Sequence, residues 1–274
     1  MTTLSTPADH DESVHERILY GMWLSPYMSM VAQHLQESGL GYRYERVSPY
    51  TGGTVSEQHR AKNPLGKIPT LADANGTVVS ESLAICRYLA RTYPEAARFY
   101  PCNDPPRCAA VDELSDFITF SVSGPFASWF TVSGYFPKAF GAKTEHESKV
   151  FGAWSTLLVR GALARLGASA RWQPFLLGEE PCLSDFQLFH ILEVSRTFST
   201  LLDLPTMNLL DGDARLQRFH DTMGARPATA GILAAQAQEL PVSRRELFEE
   251  FGTAYGRMLG PGKALLSALF GHEV

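Results

Sequence analysis

Ser25 stands in the stretch LYGMWLSPYMSM, residues 19–30, between a short apolar run and a helical pattern, and Pro26 follows it directly. A serine there can cap free backbone N–H groups, and proline at the first helical position needs no N–H of its own. Whether its hydroxyl also does chemistry is the first question the chain raises. Competing chemistries find no support. The eight histidines form no H-x-x-x-H pair or carboxylate cluster, so no metal is expected. No G-x-S-x-G elbow is present for a serine hydrolase. The glycines before Lys263 approach a P-loop, but their spacing is one residue too long and Ala264 replaces the magnesium-binding hydroxyl. Cys86, Cys102, Cys108 and Cys182 form no C-x-x-C pair, which removes zinc ribbons and dithiol redox motifs.

Stepping along the chain gives the elements that must position Ser25. Residues 17–97 alternate short β runs with helical runs. RILYG, YRYERVS, KIPTLAD and GTVVS read as strands, the last two flanking an Asn75-Gly76 hairpin turn. PYMSMVAQHLQESG and ESLAICRYLARTYP read as helices, stopped by Gly39 and Pro94. The order β-α-β-β-β-α predicts an α/β layer. PCNDPPR is proline-rich and polar, a linker. Beyond it the pattern is helical: 107–123, bent near Gly124-Pro125, then 143–170 and three further helices. The expected organisation is a flexible tail at 1–16, an α/β domain at 17–97, a linker at 98–106, an all-helical domain at 107–235 and a helical extension at 236–274.

Composition bounds the partners. A hydrophobic fraction of 45% against 19% charged residues suits a globular chain with a sizeable core. A net charge of −5 and no basic run argue against nucleic acid. Residues 1–15 lack the apolar core of a secretory signal and the arginines of a transit peptide, and no run spans a membrane. A cytoplasmic protein with reduced thiols and no membrane partner is expected.

The stretch NPLGKIPTLADANGTVVSESLAICRYLARTYP, residues 63–94, resembles the second half of the thioredoxin-like domain of the glutathione S-transferase superfamily. LYGMWLSPYMSM upstream, and GEEPCLSDFQLF and ARPA downstream, fit the same family over about residues 17–235. The resemblance implies a thioredoxin-like α/β domain followed by an all-α domain, with a serine-type, bacterial theta- or omega-like site. It implies that Pro69 is cis and that Ile68 pairs with the cysteinyl backbone of glutathione, the co-substrate. Glu81 and Ser82, at a helix start, would hold the γ-glutamyl ammonium and carboxylate, and Lys67 the glycyl carboxylate.

A free thiol titrates near about 8.5, so activation means stabilising the thiolate. Lowering that value by about two units takes about 2.7 kcal/mol, within reach of one charge-assisted hydrogen bond and a helix dipole. In the family the activating serine sits where Ser25 does, and Tyr20 is the alternative donor. Serine cannot form the mixed disulfide of cysteine-type members, which favours conjugation. Trp23, Tyr27, Phe126, Trp129 and Phe130 are expected to line an apolar pocket for a small electrophile. Two departures stand out. Tyr27, Met28, Ser29 and Met30 replace the basic residues that often follow the serine, and Cys182 replaces the usual Ser or Thr of the box ending at Asp185.

The expected function is therefore a homodimeric glutathione transferase of the detoxification type. The alternatives are a non-catalytic interaction or regulatory protein of the same fold, or a glutathione-dependent isomerase, peroxidase or ether-cleaving enzyme.

Overall fold

A computed structural model describes residues 16–129, 145–169 and 172–247, without side chains at 129 and 145–151. The tail at 1–15, Phe130, the Trp129 side chain and the sequence-expected helices beyond 247 lie outside the described residues.

The α/β layer is a four-stranded sheet in the order β2-β1-β3-β4, with β1 Ile18–Gly21, β2 Arg43–Arg46, β3 Thr70–Ala72 and β4 Val78–Ser80. β1 runs parallel to β2 and antiparallel to β3, which pairs antiparallel with β4. The parallel β1–β2 pair requires a crossover, and α1 (Pro26–Glu37) supplies it. Ser25 starts α1 and Gly39, at φ +68, ends it in the left-handed conformation that only glycine adopts without strain. α2 (Glu57–Arg60) follows β2, a short helix that sequence periodicity does not reveal, and α3 (Ser82–Thr92) follows β4.

A buried carboxylate locks the far side of this layer. Arg17 Nε lies 2.7 Å from Asp73, and the Tyr88 and Tyr93 hydroxyls donate to the other carboxylate oxygen at 2.7 and 2.6 Å. Burial pushes Asp73 upward, but these donors outweigh it and hold the carboxyl below its ordinary range.

The rest of the described chain is helical. α4 (Pro105–Phe117) leads into a π-helical turn at Ile118–Ser123 and then α5 (Gly124–Trp129). The sequence expects a bend at Gly124-Pro125; the irregularity lies just upstream, where the Gly124 N–H reaches back five residues to Thr119 O. α6 (Glu145–Ser169), α7 (Leu183–Leu201), α8 (Ala214–Gly224) and α9 (Pro227–Arg245) complete the bundle. α7 is its axis, with every residue from Leu183 to Ser195 buried, and α1 packs along it. Asp185 caps α7 by accepting from the Cys182 N–H at 2.8 Å, and it also accepts from Leu176 N–H and the Cys182 thiol. The cysteine thus replaces a hydroxyl without breaking the box. α9 runs unbroken through residue 236, so the extension expected there begins inside a helix.

Candidate active site

The interface between the α/β layer and the bundle encloses a cavity of about 580 Å³. Its α/β wall carries Ser25 and Tyr27 from the start of α1, Lys67, Ile68 and Pro69 from the turn before β3, and Glu81 and Ser82 from the start of α3. Its helical wall carries Thr119, Ser123 and Phe126 from the π-helical turn and α5, and Gln187, Ile191 and Phe198 from α7.

Ser25 caps α1 weakly. Its Oγ accepts from the Met28 N–H at 3.4 Å, and among the described residues nothing accepts its own proton. The hydroxyl hydrogen is therefore available to a group in the cavity while an oxygen lone pair faces the helix. Ser25 is held from behind by its backbone N–H, which donates to Met22 O at 3.0 Å.

The Ile68–Pro69 peptide is cis. Lys67 O accepts from His59 at 2.8 Å and from Asn63 at 2.9 Å, which pins the turn from below. Among the described residues no backbone group pairs with the N–H or C=O of Ile68, so both are free for an extended peptide. Sequence reasoning missed His59 and Asn63 because their role is to hold a carbonyl, which leaves no spacing signal. Gly66, at φ +63, completes the turn, where an added Cβ would stand 3.1 Å from Thr54 O.

Glu81 occupies the cap position of α3 at φ 68 and ψ 119, a conformation that costs a non-glycine residue of order 1–3 kcal/mol. Among the described residues no side chain caps this helix, so its first N–H groups and its dipole point outward at Ser82. Among the described residues neither the Glu81 carboxylate nor the Ser82 hydroxyl has a partner. A carboxylate acceptor, a hydroxyl donor and open helix N–H groups side by side suit a zwitterionic amino-acid group.

Tyr20 and Trp23 fall elsewhere. Tyr20 faces a separate cavity of about 250 Å³ with His59 and Lys62, and burial pushes its phenol upward. The period-2 alternation of β1 turns it to the sheet face away from Ser25. Trp23, expected in the electrophile pocket, is instead buried against Tyr44 with ring centroids 5.1 Å apart. Tyr27 and Phe126 do line the main cavity, and the Tyr27 hydroxyl bonds Ser123 Oγ.

Residues 19–97 match the family model of the glutathione S-transferase N-terminal domain. By that match this region is similar to the N-terminal domain of glutathione S-transferases. Glutathione S-transferase 3 of Zea mays is 44% identical over 75 residues, covering 27% of this chain and 33% of the maize protein. Glutathione S-transferase hmp2 of Hypomyces subiculosus is 38% identical over 86 residues, covering 31% of this chain and 39% of its own. The matches thus span about a third of the length of these curated relatives. The whole fold agrees more widely. Glutathione transferase F2 from Populus trichocarpa superposes with a TM-score of 0.64 at 19% identity, over 81% of this chain and 99% of that one. The theta class enzyme of Xanthomonas axonopodis pv. citri, solved with glutathione bound, superposes at 0.62 with 26% identity, over 78% of this chain and 95% of that one.

Among the described residues no group of three or more ligating side chains could hold a metal ion, and no helix is long and apolar enough to cross a membrane.

Proposed function

We propose that the protein is a serine-type glutathione transferase. The observation that carries this reading is the convergence of Ser25, the free backbone of Ile68, and the Glu81–Ser82 pair on one cavity. Glutathione would lie along Ile68 as a short antiparallel ladder, with its γ-glutamyl group at Ser82 and Glu81 and its glycyl carboxylate toward Lys67. That pose brings its sulfur to the start of α1. Ser25 donates its hydroxyl proton into a hydrogen bond with the thiolate, and the α1 dipole adds to the stabilisation. The sulfur then attacks an electrophilic carbon held between Tyr27, Phe126, Ile191 and Phe198. A C–S bond forms, and the electron pair leaves with a displaced group or moves into a conjugated acceptor that takes a proton from water. Rate comes from the raised thiolate fraction and from holding the two reactants together.

The helical wall favours an apolar electrophile, consistent with a detoxification role in the cytoplasm. The theta-class neighbour with bound glutathione supports a theta-like site, whereas the curated relatives are plant and fungal. Homodimerisation is supported by the exposed Phe120, Trp154 and Leu157, large apolar side chains on elements that pack together. A carboxylate, a hydroxyl and an unpaired Ile68 backbone on one cavity favour a glutathione site over a non-catalytic interaction module.

Calorimetric titration with reduced glutathione tests the reading. Binding in the micromolar to low-millimolar range, weakened at least about tenfold by Ser82→Ala, is expected. No binding at millimolar glutathione would sink it.

A further inference from the structure

We propose that residues 236–246 form a strap that fixes two cavity-lining loops, with Glu239 as a positioning residue for Ser25. The stretch lies beyond the part of the sequence that resembles glutathione transferases, yet it is bonded to the α/β layer at several points.

The first loop is Met22–Ser25. Glu239 Oε1 accepts from the Trp23 N–H at 2.9 Å. The same peptide group ends in Met22 O, which accepts from the Ser25 N–H at 3.0 Å. Glu239 and Ser25 therefore hold opposite ends of one rigid, planar unit. The other side of Trp23 is tied as well. Its carbonyl accepts from Ser29 Oγ at 3.1 Å, and that oxygen accepts from Gln236 Nε2 at 3.0 Å. Two residues of α9, one turn apart, thus fix both peptide groups of Trp23.

The second loop follows β2. Arg46 makes a two-pronged contact with Glu246 at 2.8 and 2.6 Å, and Ser48 Oγ donates to the same carboxylate at 2.7 Å. Ser48 Oγ in turn accepts from the Tyr50 N–H at 3.2 Å, and Pro49 and Tyr50 line the main cavity. Arg46 Nε lies 3.3 Å from Glu239, and the Tyr44 hydroxyl donates to Glu239 at 2.5 Å. One guanidinium therefore links the two carboxylates, and through them the two loops. The Glu239 and Glu246 side chains are 10% and 7% exposed, so solvent does little to screen these bonds.

Among the described residues Ser25 has only its long cap contact to orient its hydroxyl, so the angle of its backbone decides where the proton points. A displacement of the Met22–Trp23 peptide would be felt at the thiolate rather than at the sites that hold the ends of glutathione. The catalytic consequence rests on the glutathione reading given above; the mechanical claim does not.

Amide hydrogen exchange and the ultraviolet absorbance of bound thiolate, measured on Glu239→Ala and Glu239→Gln, test both parts. In Glu239→Ala the Trp23 amide should exchange about tenfold faster, and Glu239→Gln, which keeps an acceptor, should restore most of the protection. The pKa of the bound thiol should rise and kcat fall about three- to tenfold in Glu239→Ala, with KM for glutathione changed less. Unchanged exchange at Trp23 overturns the strap. Faster exchange with an unchanged thiol pKa and kcat overturns the positioning role of Glu239. If the unsubstituted protein shows no bound thiolate, the transferase reading fails and exchange alone decides the strap. Should Glu239→Ala not fold, Gln236→Ala probes the adjoining Trp23–Leu24 peptide through Ser29, with faster Trp23 and Ser25 exchange expected and no change contradicting the strap.

Discussion

The Met28 side chain fills the space that a Cβ on Gly21 would need: its Cγ lies 2.6 Å from that position. Met28 is fully buried, and the helix turn that carries it begins at Ser25. Gly21→Ala must therefore push the start of α1 away from β1 or force Met28 off its rotamer. A loss of about 1–3 kcal/mol is expected, together with reduced conjugation. Thermal denaturation and a standard conjugation assay check it, and a variant unchanged in both would show that this contact does not position the site.

Glu81 is predicted to trade stability for binding. Its backbone, at φ 68 and ψ 119, suits glycine and penalises any other residue. Glu81→Gly should raise the melting temperature, by an amount matching about 1 kcal/mol, while weakening glutathione binding through loss of the carboxylate. A variant that melts lower would mean that the side chain, not the backbone, governs stability at this cap.

Acid should unfold the protein through its buried histidines. Burial pushes His34 down to about 4, against a weaker opposing effect of the Ala96 carbonyl, and pushes His190 down to about 3. Both stay neutral in the fold, while in the unfolded chain each takes a proton near about 6.5. Below that value the unfolded chain binds more protons, so the stability present above about 6.5 is lost as pH falls toward the folded values. Denaturant midpoints measured from pH 8 down to 5 (about the range of interest for histidine) should decline below about 6.5. His190→Leu should flatten that decline, since among the described residues neither ring nitrogen has a hydrogen-bond partner to lose. A midpoint independent of pH would contradict this.

The strands and the main helices of the α/β layer are legible because their punctuation is local: Ser-Pro at a helix start, Asn-Gly in a hairpin, Gly39 at a helix end. The residues proposed to face glutathione are legible only through resemblance, since a carboxylate and a serine at a helix start read equally well as a cap. Trp23, expected in the pocket, and Tyr20, the alternative donor, lie off the lining of the main cavity for one cause. Trp23 and Tyr20 are both aromatic residues near Ser25 in sequence, but strand alternation and the turn before α1 send them to other surfaces. The methionines after Pro26 looked like a departure from the family pattern, and packing explains them. Met28 and Met30 are 0% and 1% exposed, so basic side chains there would be buried without counter-charges. The role of α9 was not legible at all, because Glu239 and Glu246 meet Trp23 and Arg46 across about two hundred residues of chain, where no spacing rule applies.

The most direct test of thiol activation is the pH titration of glutathione bound to the unsubstituted protein and to Ser25→Ala, read by thiolate absorbance. A bound-thiol pKa below the free value of about 8.5 is expected in the first, and a return toward that value in Ser25→Ala with binding largely retained. Equal pKa values in the two proteins would show that Ser25 only caps α1.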